Sequence, residues 1–344
     1  MNYSLQVAGR SCVVVGRAAE ELPNLLPQKR IIVFTDRTIL ALHPELFAGR
    51  EVICMEQGEE HKSLQSVEML CRELVTRNAD RSTFLLGVGG GIVTDITGFV
   101  ASIYMRGIAF GFVSTTLLGN VDASVGGKNG VNFDGYKNMI GVFAQPQFVI
   151  CDTSLLATLP PRELRAGLAE AIKSGIIGDA TLFELIEQHT FESLCRDEEL
   201  LSRIVLHSVK LKADIVSRDE REAGERRKLN LGHTFAHAIE KCTHAMNHGE
   251  AVAVGIDLIA QIAHYRRMLP STALDRIHAL LLKMGFEVQP PVPLEDLLKA
   301  LTKDKKSDGN NIHVVMPTDI GRCTVETFTH DKFAALARQS LCLK

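Results

Sequence analysis

Between Leu229 and Arg267 the chain reads LNLGHTFAHAIEKCTHAMNHGEAVAVGIDLIAQIAHYRR, with His233, His237, His244 and His248 close together. On a helix His233 and His237, four residues apart, project from one face, a spacing at which two imidazoles can share a metal. No H-E-x-x-H occurs in this stretch, so the zinc-protease arrangement is excluded. His248 stands directly ahead of GEAVAVGIDLIAQ at an expected helix start, and His244 falls in the connecting loop as a solvated residue. A carboxylate is available in LRAGLAEAIKSGII, where Glu170 sits among small apolar residues. An unpaired charge there is costly to bury, and Lys173 lies three residues on. Two readings stay open. Glu170 and two histidines form a site with open positions, as in catalytic zinc centres; or Glu170 and Lys173 are a salt-bridged pair and the histidines are hydrogen-bonded core residues.

A second chemical signal is FLLGVGGGIVTDITGFVASIY, with Gly87, Gly89, Gly90 and Gly91 between an expected strand and an expected helix. Backbone N–H groups at such a turn, backed by a helix dipole, suit a pyrophosphate. The spacing departs from G-x-G-x-x-G because Ile92 takes the third glycine's place, so a tight turn needing positive φ explains it equally. Asp36, ending RIIVFTD, is placed to accept from a ribose hydroxyl or to cap the helix beginning at RTILALH. Glu59 and Lys62 in GEEHKSL, and Thr115 and Thr116 in STTLL, serve a nucleotide or merely cap turns. The stretch from Ile103 to Asp152 gathers Arg106, Asp122, Lys128, Lys137 and Asn138 among glycines, and it reads as too irregular for a plain helix or strand. VKLKADIVSRDEREAGERRKLN adds Lys212, Glu222, Arg226 and Asn230, and KDKKSDG adds Lys305 and Lys306. Lysines beside glycine turns point to a phosphate or carboxylate pocket, whereas 218–228 taken alone reads as solvated surface.

The elements that must position these groups follow from length and pattern. A chain of 344 residues accommodates about two domains, with room for a cleft between them. Up to about Pro160, the runs SCVVVG, RIIVFTD, EVICM, STFLLGVGGG, AFGFVS and QFVICD alternate with amphipathic segments such as SLQSVEMLCRELVTRN. That alternation predicts a mainly parallel, Rossmann-like sheet whose ligand crevice lies at the carboxyl ends of its strands. Beyond it helical periodicity dominates, apart from a candidate hairpin in NNIHVVMPTDIGRCTVETF. The expected organisation is an α/β domain over 1–157 and an all-α domain over 158–344. Net charge is −3, which leaves no global field for nucleic acid or an anionic membrane. With no apolar run of about 18 residues and no signal-peptide pattern, the chain reads as cytoplasmic. Its eight cysteines, none in a C-x-x-C pair, read as reduced structural thiols.

Taken in order, GGGIVTDITGFVASIYMRG, STTLLGNVDASVGGKNGVN, YKNMIG, LPPRELRAGLAEAIKSGII, RRKLNLGHTFAHAIE and HGEAVAVG make the chain resemble the 3-dehydroquinate synthase family of the sugar-phosphate cyclase superfamily. The resemblance spans about residues 58–306. It implies Glu170, His233 and His248 as ligands of one divalent ion, Zn2+ or Co2+, with His237 on the substrate side. It implies NAD+ contacts at Asp36, Glu59, Lys62, Gly90, Gly91, Asp95, Thr115, Thr116 and Thr158, with Lys128 and Lys137 also near the cofactor. Substrate contacts fall on Arg106, Asp122, Lys128, Lys137, Asn138, Lys173, Lys212, Arg226, Asn230 and His237, and on Lys305 or Lys306. Arg106 is expected to reach across a homodimer interface. Ser114, Asn129 and Tyr136 depart from the family's usual proline, threonine and glycine, without removing a charged group or ligand.

The implied activity is that of a carbon–oxygen lyase acting on 3-deoxy-D-arabino-heptulosonate 7-phosphate, a small-molecule partner. Transient oxidation of the C5 alcohol by NAD+ acidifies the adjacent C–H, phosphate leaves by β-elimination, the hydride returns, and an aldol-type closure gives 3-dehydroquinate. The leaving phosphate itself is a candidate to take the proton. An inosose or valiolone synthase, a metal-dependent polyol dehydrogenase and a non-catalytic NAD- or metal-sensing module are the competing readings; the histidine at 237, Arg226 and the Asp-Lys-Lys run favour the dehydroquinate branch.

Overall fold

The computed structural model describes residues 3–302 and 311–341. Lys305 and Lys306 lie outside the described residues. The strands are β1 Tyr3–Val7, β2 Ser11–Val15, β3 Ile31–Asp36, β4 Glu51–Met55, β5 Phe84–Gly89, β6 Phe110–Ser114, β7 Lys128–Phe133, β8 Tyr136–Phe143, β9 Phe148–Cys151, β10 Asn311–Asp319 and β11 Arg322–Thr329. The α-helices are α1 Ala18–Leu25, α2 Arg37–Leu42, α3 Leu64–Thr76, α4 Gly91–Ile103, α5 Pro161–Gly178, α6 Ala180–Glu187, α7 Phe191–Arg196, α8 Glu198–Arg218, α9 His233–Cys242, α10 His248–Tyr265, α11 Ser271–Lys283, α12 Leu294–Thr302 and α13 His330–Leu341. Two compact units result: one runs to Leu164 and takes in Leu201–Arg221, the other comprises Arg165–Leu200 and the chain from Glu222 onward.

The first unit is built on a seven-stranded sheet of order β1-β2-β9-β6-β5-β3-β4, parallel except for the β1–β2 pair. β-Branched and aromatic residues fill its strands, and β3, β5, β6 and β9 are buried almost throughout, as a sheet covered on both faces requires. Phe84 and Phe148 stack within this core at 5.8 Å between centroids. The chain leaves β3 for β4 on one side and returns to β5 on the other, so the strand order reverses between β3 and β5. Ligand crevices of open α/β sheets form at the carboxyl ends of strands at such a reversal. Asp36 ends β3, and the glycine turn ends β5.

The second unit is helical with one hairpin, β10–β11, where the sequence pattern suggests it. Its central element is α10, whose residues Ala251–Ala260 are all buried. A helix apolar on every side must be surrounded by protein. Among the described residues no helix is long and apolar enough to cross a membrane, and seven described cysteines are free.

Candidate active site

Glu170, in the middle of α5, is fully buried, with neither carboxylate oxygen in a geometrically sound hydrogen bond. What surrounds it is charge and lone pairs. Lys173 Nζ pairs closely with Oε2, while His248 Nε2 and His233 Nε2 face Oε1 at 3.2 Å and 3.6 Å. Each imidazole is oriented from behind. His233 Nδ1 donates to the Leu231 carbonyl at 3.2 Å, and His248 Nδ1 bonds the Glu240 carboxylate at 3.1 Å. In the neutral rings, protons on both Nδ1 atoms leave both Nε2 lone pairs aimed at the same carboxylate oxygen.

One ligand atom from each of Glu170, His233 and His248 lies within 4.8 Å of the others. Donors about 2.0–2.1 Å from a tetrahedral ion stand roughly 3.3 Å apart, so the two Nε2–Oε1 separations of 3.2 Å and 3.6 Å fit a divalent cation shared by one carboxylate and two imidazoles. The underbonded carboxylate is itself an observation in favour of that fit. The electrostatics agree. Burial opposes ionisation of Glu170, but the Lys173 ammonium and the two imidazoles outweigh it and hold the carboxyl well below its usual range. Burial drives His233 down to about 3, so its ring is neutral. Burial also acts to lower His248, yet the facing Glu170 and Glu240 carboxylates overcome that and raise it to about 9.

Local sequence explains this convergence. His233 is the first residue of α9, behind Gly232 at φ +80°, and His248 opens α10 behind Asn247. Asn247 and Glu250 form a reciprocal capping box that fixes where α10 begins. Gly249 sits so close to α5 that a Cβ there would stand 2.3 Å from the Ala166 Cα and carbonyl oxygen. A glycine at that point brings His248 within reach of Glu170, one turn along α5 from Ala166.

In the first unit none of Gly87, Gly89, Gly90 and Gly91 has positive φ. The tight-turn explanation of these glycines is therefore replaced by a steric one. A Cβ at Gly90 would meet Thr116 at 2.9 Å, and one at Gly87 would meet the Thr97 hydroxyl at 2.8 Å. Gly90 caps α4 without a side-chain acceptor, leaving the first-turn N–H groups for an anion. Asp36 does cap α2: Oδ1 accepts from the Thr38 and Ile39 amides, both at 2.9 Å, and from Gln57 Nε2 at 2.8 Å.

Lys62, only 5 % exposed, donates to Asp95 Oδ2 at 2.5 Å and to Asn138 Oδ1 at 2.6 Å. Burial raises the Asp95 carboxyl despite the opposing pull of Lys62. Asn132 ties this group together, donating to Glu59 Oε1 at 2.9 Å and accepting from the Asn138 amide at 2.9 Å. Asn138 itself stands at φ +52°. Lys212 Nζ donates to both the Asp122 carboxylate and carbonyl at 2.6 Å.

The other sequence candidates are spread more widely. Thr115 Oγ1 is buried without a hydrogen-bond partner, Thr116 Oγ1 accepts from the Gly119 amide, and Thr158 Oγ1 donates to the Leu155 carbonyl. Lys128, Lys137 and Arg106 are exposed, Arg106 at φ +68°. In the second unit Arg226 is only 2 % exposed, Asn230 donates to Glu222, itself at φ +61°, and His237 is exposed with its ring edge-on to His233 at 5.5 Å. Two residues had escaped the sequence reading, Glu240 and Asn132. Glu240 extends the His233–His237 face of α9 by one more turn, a spacing that could have revealed it.

Fold and site first define a class: an enzyme with a Rossmann-like α/β unit and a helical unit holding an open carboxylate–imidazole metal site. The chain belongs to the 3-dehydroquinate synthase family, whose N-terminal model matches residues 52–166 and whose C-terminal model matches residues 167–307. A 3-dehydroquinate synthase of Nitrosospira multiformis is 43 % identical over 317 residues, covering 89 % of this chain and 87 % of the relative. Among solved structures, 2-epi-5-epi-valiolone synthase from Streptomyces hygroscopicus, with NAD+ and Zn2+ bound, has a TM-score of 0.87 at 28 % identity over 96 % of each chain. A 2-deoxy-scyllo-inosose synthase complexed with carbaglucose-6-phosphate, NAD+ and Co2+ has a TM-score of 0.87 at 25 % identity over 99 % of this chain and 100 % of that one.

Proposed function

We propose that this protein converts 3-deoxy-D-arabino-heptulosonate 7-phosphate to 3-dehydroquinate and inorganic phosphate, using NAD+ and one divalent ion per chain, Zn2+ or Co2+. The observation that carries the reading is the Glu170–His233–His248 trio within a chain of the 3-dehydroquinate synthase family. The two cyclases of similar fold, solved with NAD+ and with Zn2+ or Co2+, support the same cofactor pair. When bound, the ion supplies Lewis-acid polarisation of substrate hydroxyls and NAD+ supplies a reversible hydride acceptor.

The chain's own residues do the rest. Glu170, fully buried, and the two partly buried Nε2 atoms present the donor set. In the first unit, the α4 amides from Gly91 onward hold the cofactor's pyrophosphate, and Asp36, at the end of β3, serves its ribose. Glu59, Lys62, Asp95, Thr115, Thr116 and Thr158 complete the cofactor contacts. Asp122, Lys128, Lys137, Asn138, Lys173, Lys212, Arg226, Asn230 and His237 are proposed to bind the substrate's carboxylate, phosphate and hydroxyls. Fixing both anionic ends of a flexible chain confines it to the geometry that cyclises. No side chain is nominated as general base, because the departing phosphate is itself basic. The 1–157 and 158–344 division is retained as a proposal for cofactor and metal functions respectively.

A homodimer is part of the proposal, with Arg106 reaching the partner. Exposed Met105, Phe133, Met139 and Phe143 on the first unit support it, since apolar groups of that size are commonly covered. Light scattering behind gel filtration tests the state. A reducing cytoplasmic setting suits the free cysteines.

The deciding experiment incubates Zn2+-loaded protein with the heptulosonate phosphate and catalytic NAD+. Phosphate and carbocycle form in equal amounts with no net NADH. Turnover only of another sugar phosphate moves the reading to a different cyclase, and NADH accumulating with product moves it to a dehydrogenase.

A further inference from the structure

His248 and His233 are oriented by different partners, and the difference points to a residue outside the donor trio. His233 leans on a backbone carbonyl, whereas His248 leans on a carboxylate. That carboxylate belongs to Glu240, whose side chain is 7 % exposed. His233, His237 and Glu240 occupy positions i, i+4 and i+7 of α9, a single face of one helix. The same face thus presents one donor and the group that holds the donor of the next helix. With Nδ1–H directed at Glu240 Oε1 at 3.1 Å, Nε2 is the ring nitrogen turned toward Glu170 Oε1, 3.2 Å away. Without Glu240, the ring is free to flip, which presents Cε1–H, or to carry its proton on Nε2, and either removes the Nε2 lone pair that an ion beside Glu170 needs.

We infer that Glu240 is a positioning residue for the metal: it fixes the tautomer and ring plane of His248 and increases the donor strength of its Nε2. The inference rests on the metal-site reading above and deepens it. Carboxylate partners behind ligating imidazoles typically change metal affinity about 10–100-fold. Glu240 therefore matters more than its distance from the substrate suggests.

The test uses Zn2+-loaded and Co2+-loaded protein, with Glu240→Ala and Glu240→Gln variants. Chelator competition measures affinity, the visible absorption of bound Co2+ reports ligand geometry, and melting after metal removal reports the fold. Glu240→Ala should weaken Zn2+ binding about 10–100-fold and shift the Co2+ spectrum. Glu240→Gln, which retains an uncharged acceptor of the same shape, should fall between that variant and the parent. Unchanged Zn2+ affinity and Co2+ spectrum in both variants, with or without a loss of melting temperature, overturn the inference and leave the metal site standing. Failure of the parent protein to bind either ion brings down both readings together.

Discussion

Substituting Gly249 by alanine adds one methyl group where no side chain can yield. The new Cβ would lie 2.3 Å from Ala166 Cα, 2.3 Å from its carbonyl oxygen and 2.6 Å from its carbonyl carbon, all backbone atoms of α5. Ordinary carbon contacts begin about 1 Å further out, so α10 and α5 must separate by about that much near the first turn of α10. Overpacking of a closed interior costs about 1–3 kcal/mol, and the upper half of that range applies because both sides are backbone. Melting of the metal-free protein should fall by roughly 4–10 °C. The functional effect follows from the same movement. His248 directly precedes Gly249, and a shift of about 1 Å takes its Nε2 from 3.2 Å to about 4 Å from Glu170 Oε1, wider than the roughly 3.3 Å that separates two donors of a tetrahedral ion. Chelator competition should show at least tenfold weaker Zn2+ binding, and phosphate release should fall with occupancy. A Gly249→Ala protein that melts within 1 °C of the parent and keeps its Zn2+ affinity would refute the claim that this helix contact sets the ligand spacing.

Metal affinity should depend on pH through one proton. His248, raised to about 9, is protonated in the metal-free protein at neutral pH, whereas His233 at about 3 is not. The raised pKa stabilises the metal-free fold below about pH 6.5, and that contribution is lost as pH rises through 9. Loading an ion at pH 7.5 should release about one proton, measurable by calorimetry in buffers of different ionisation enthalpy, and affinity should rise about tenfold per pH unit up to 9. Release of two protons, or none, contradicts this assignment. Glu170→Gln should abolish metal binding and leave Lys173 without its anion, destabilising the helical unit by about 3–5 kcal/mol in denaturant titrations. His248→Ala should lose metal and turnover while keeping its circular dichroism spectrum; activity at full parental metal content would count against the ligand assignment. Asp95→Ala removes the charge partner of buried Lys62 and should weaken NAD+ binding in fluorescence titration. It should leave Zn2+ affinity unchanged, because every metal donor and its orienting group lies in the other unit.

Strands β2 to β6 and β9 could be read from the sequence because buried parallel strands are continuous β-branched and aromatic runs. The β7–β8 hairpin, which the same reading left irregular, could not, since nearly every side chain of β8 is exposed and no hydrophobic alternation marks it. One local signal was present: Asp134-Gly135, both at positive φ, supply the tight hairpin turn that an Asp-Gly pair favours. Helical periodicity identified α8 but not the unit against which Leu201–Arg221 packs, because periodicity reports a face and not its partner. Residue types suggested a carboxylate with two histidines. Spacing alone could not choose between His237 and His248, since one helix face offers His233 with His237. The choice is tertiary and depends on the approach of Gly249 to Ala166.

The charges around Glu170 explain why one cluster can exist both without an ion and with one. Counted formally, the carboxylates of Glu170 and Glu240, the Lys173 ammonium and a protonated His248 imidazolium sum to zero. Neutrality matters because a net charge beside the fully buried Glu170 and Lys173 is expensive. Replacing the His248 proton by a divalent ion leaves the group with one positive charge. With an ion held by Glu170, His233 and His248, a cationic centre at that place would supply Lewis-acid polarisation of a substrate hydroxyl. Lys173 is therefore more than a counter-ion to Glu170: removing its charge would leave the metal-loaded group neutral and reduce its attraction for an ionising alcohol. Glu240 acts in the opposite sense, strengthening the bond to the ion while reducing the net charge that the substrate meets. Affinity for the metal and acidity of the bound hydroxyl are thus set against each other by two residues, neither of which is a ligand.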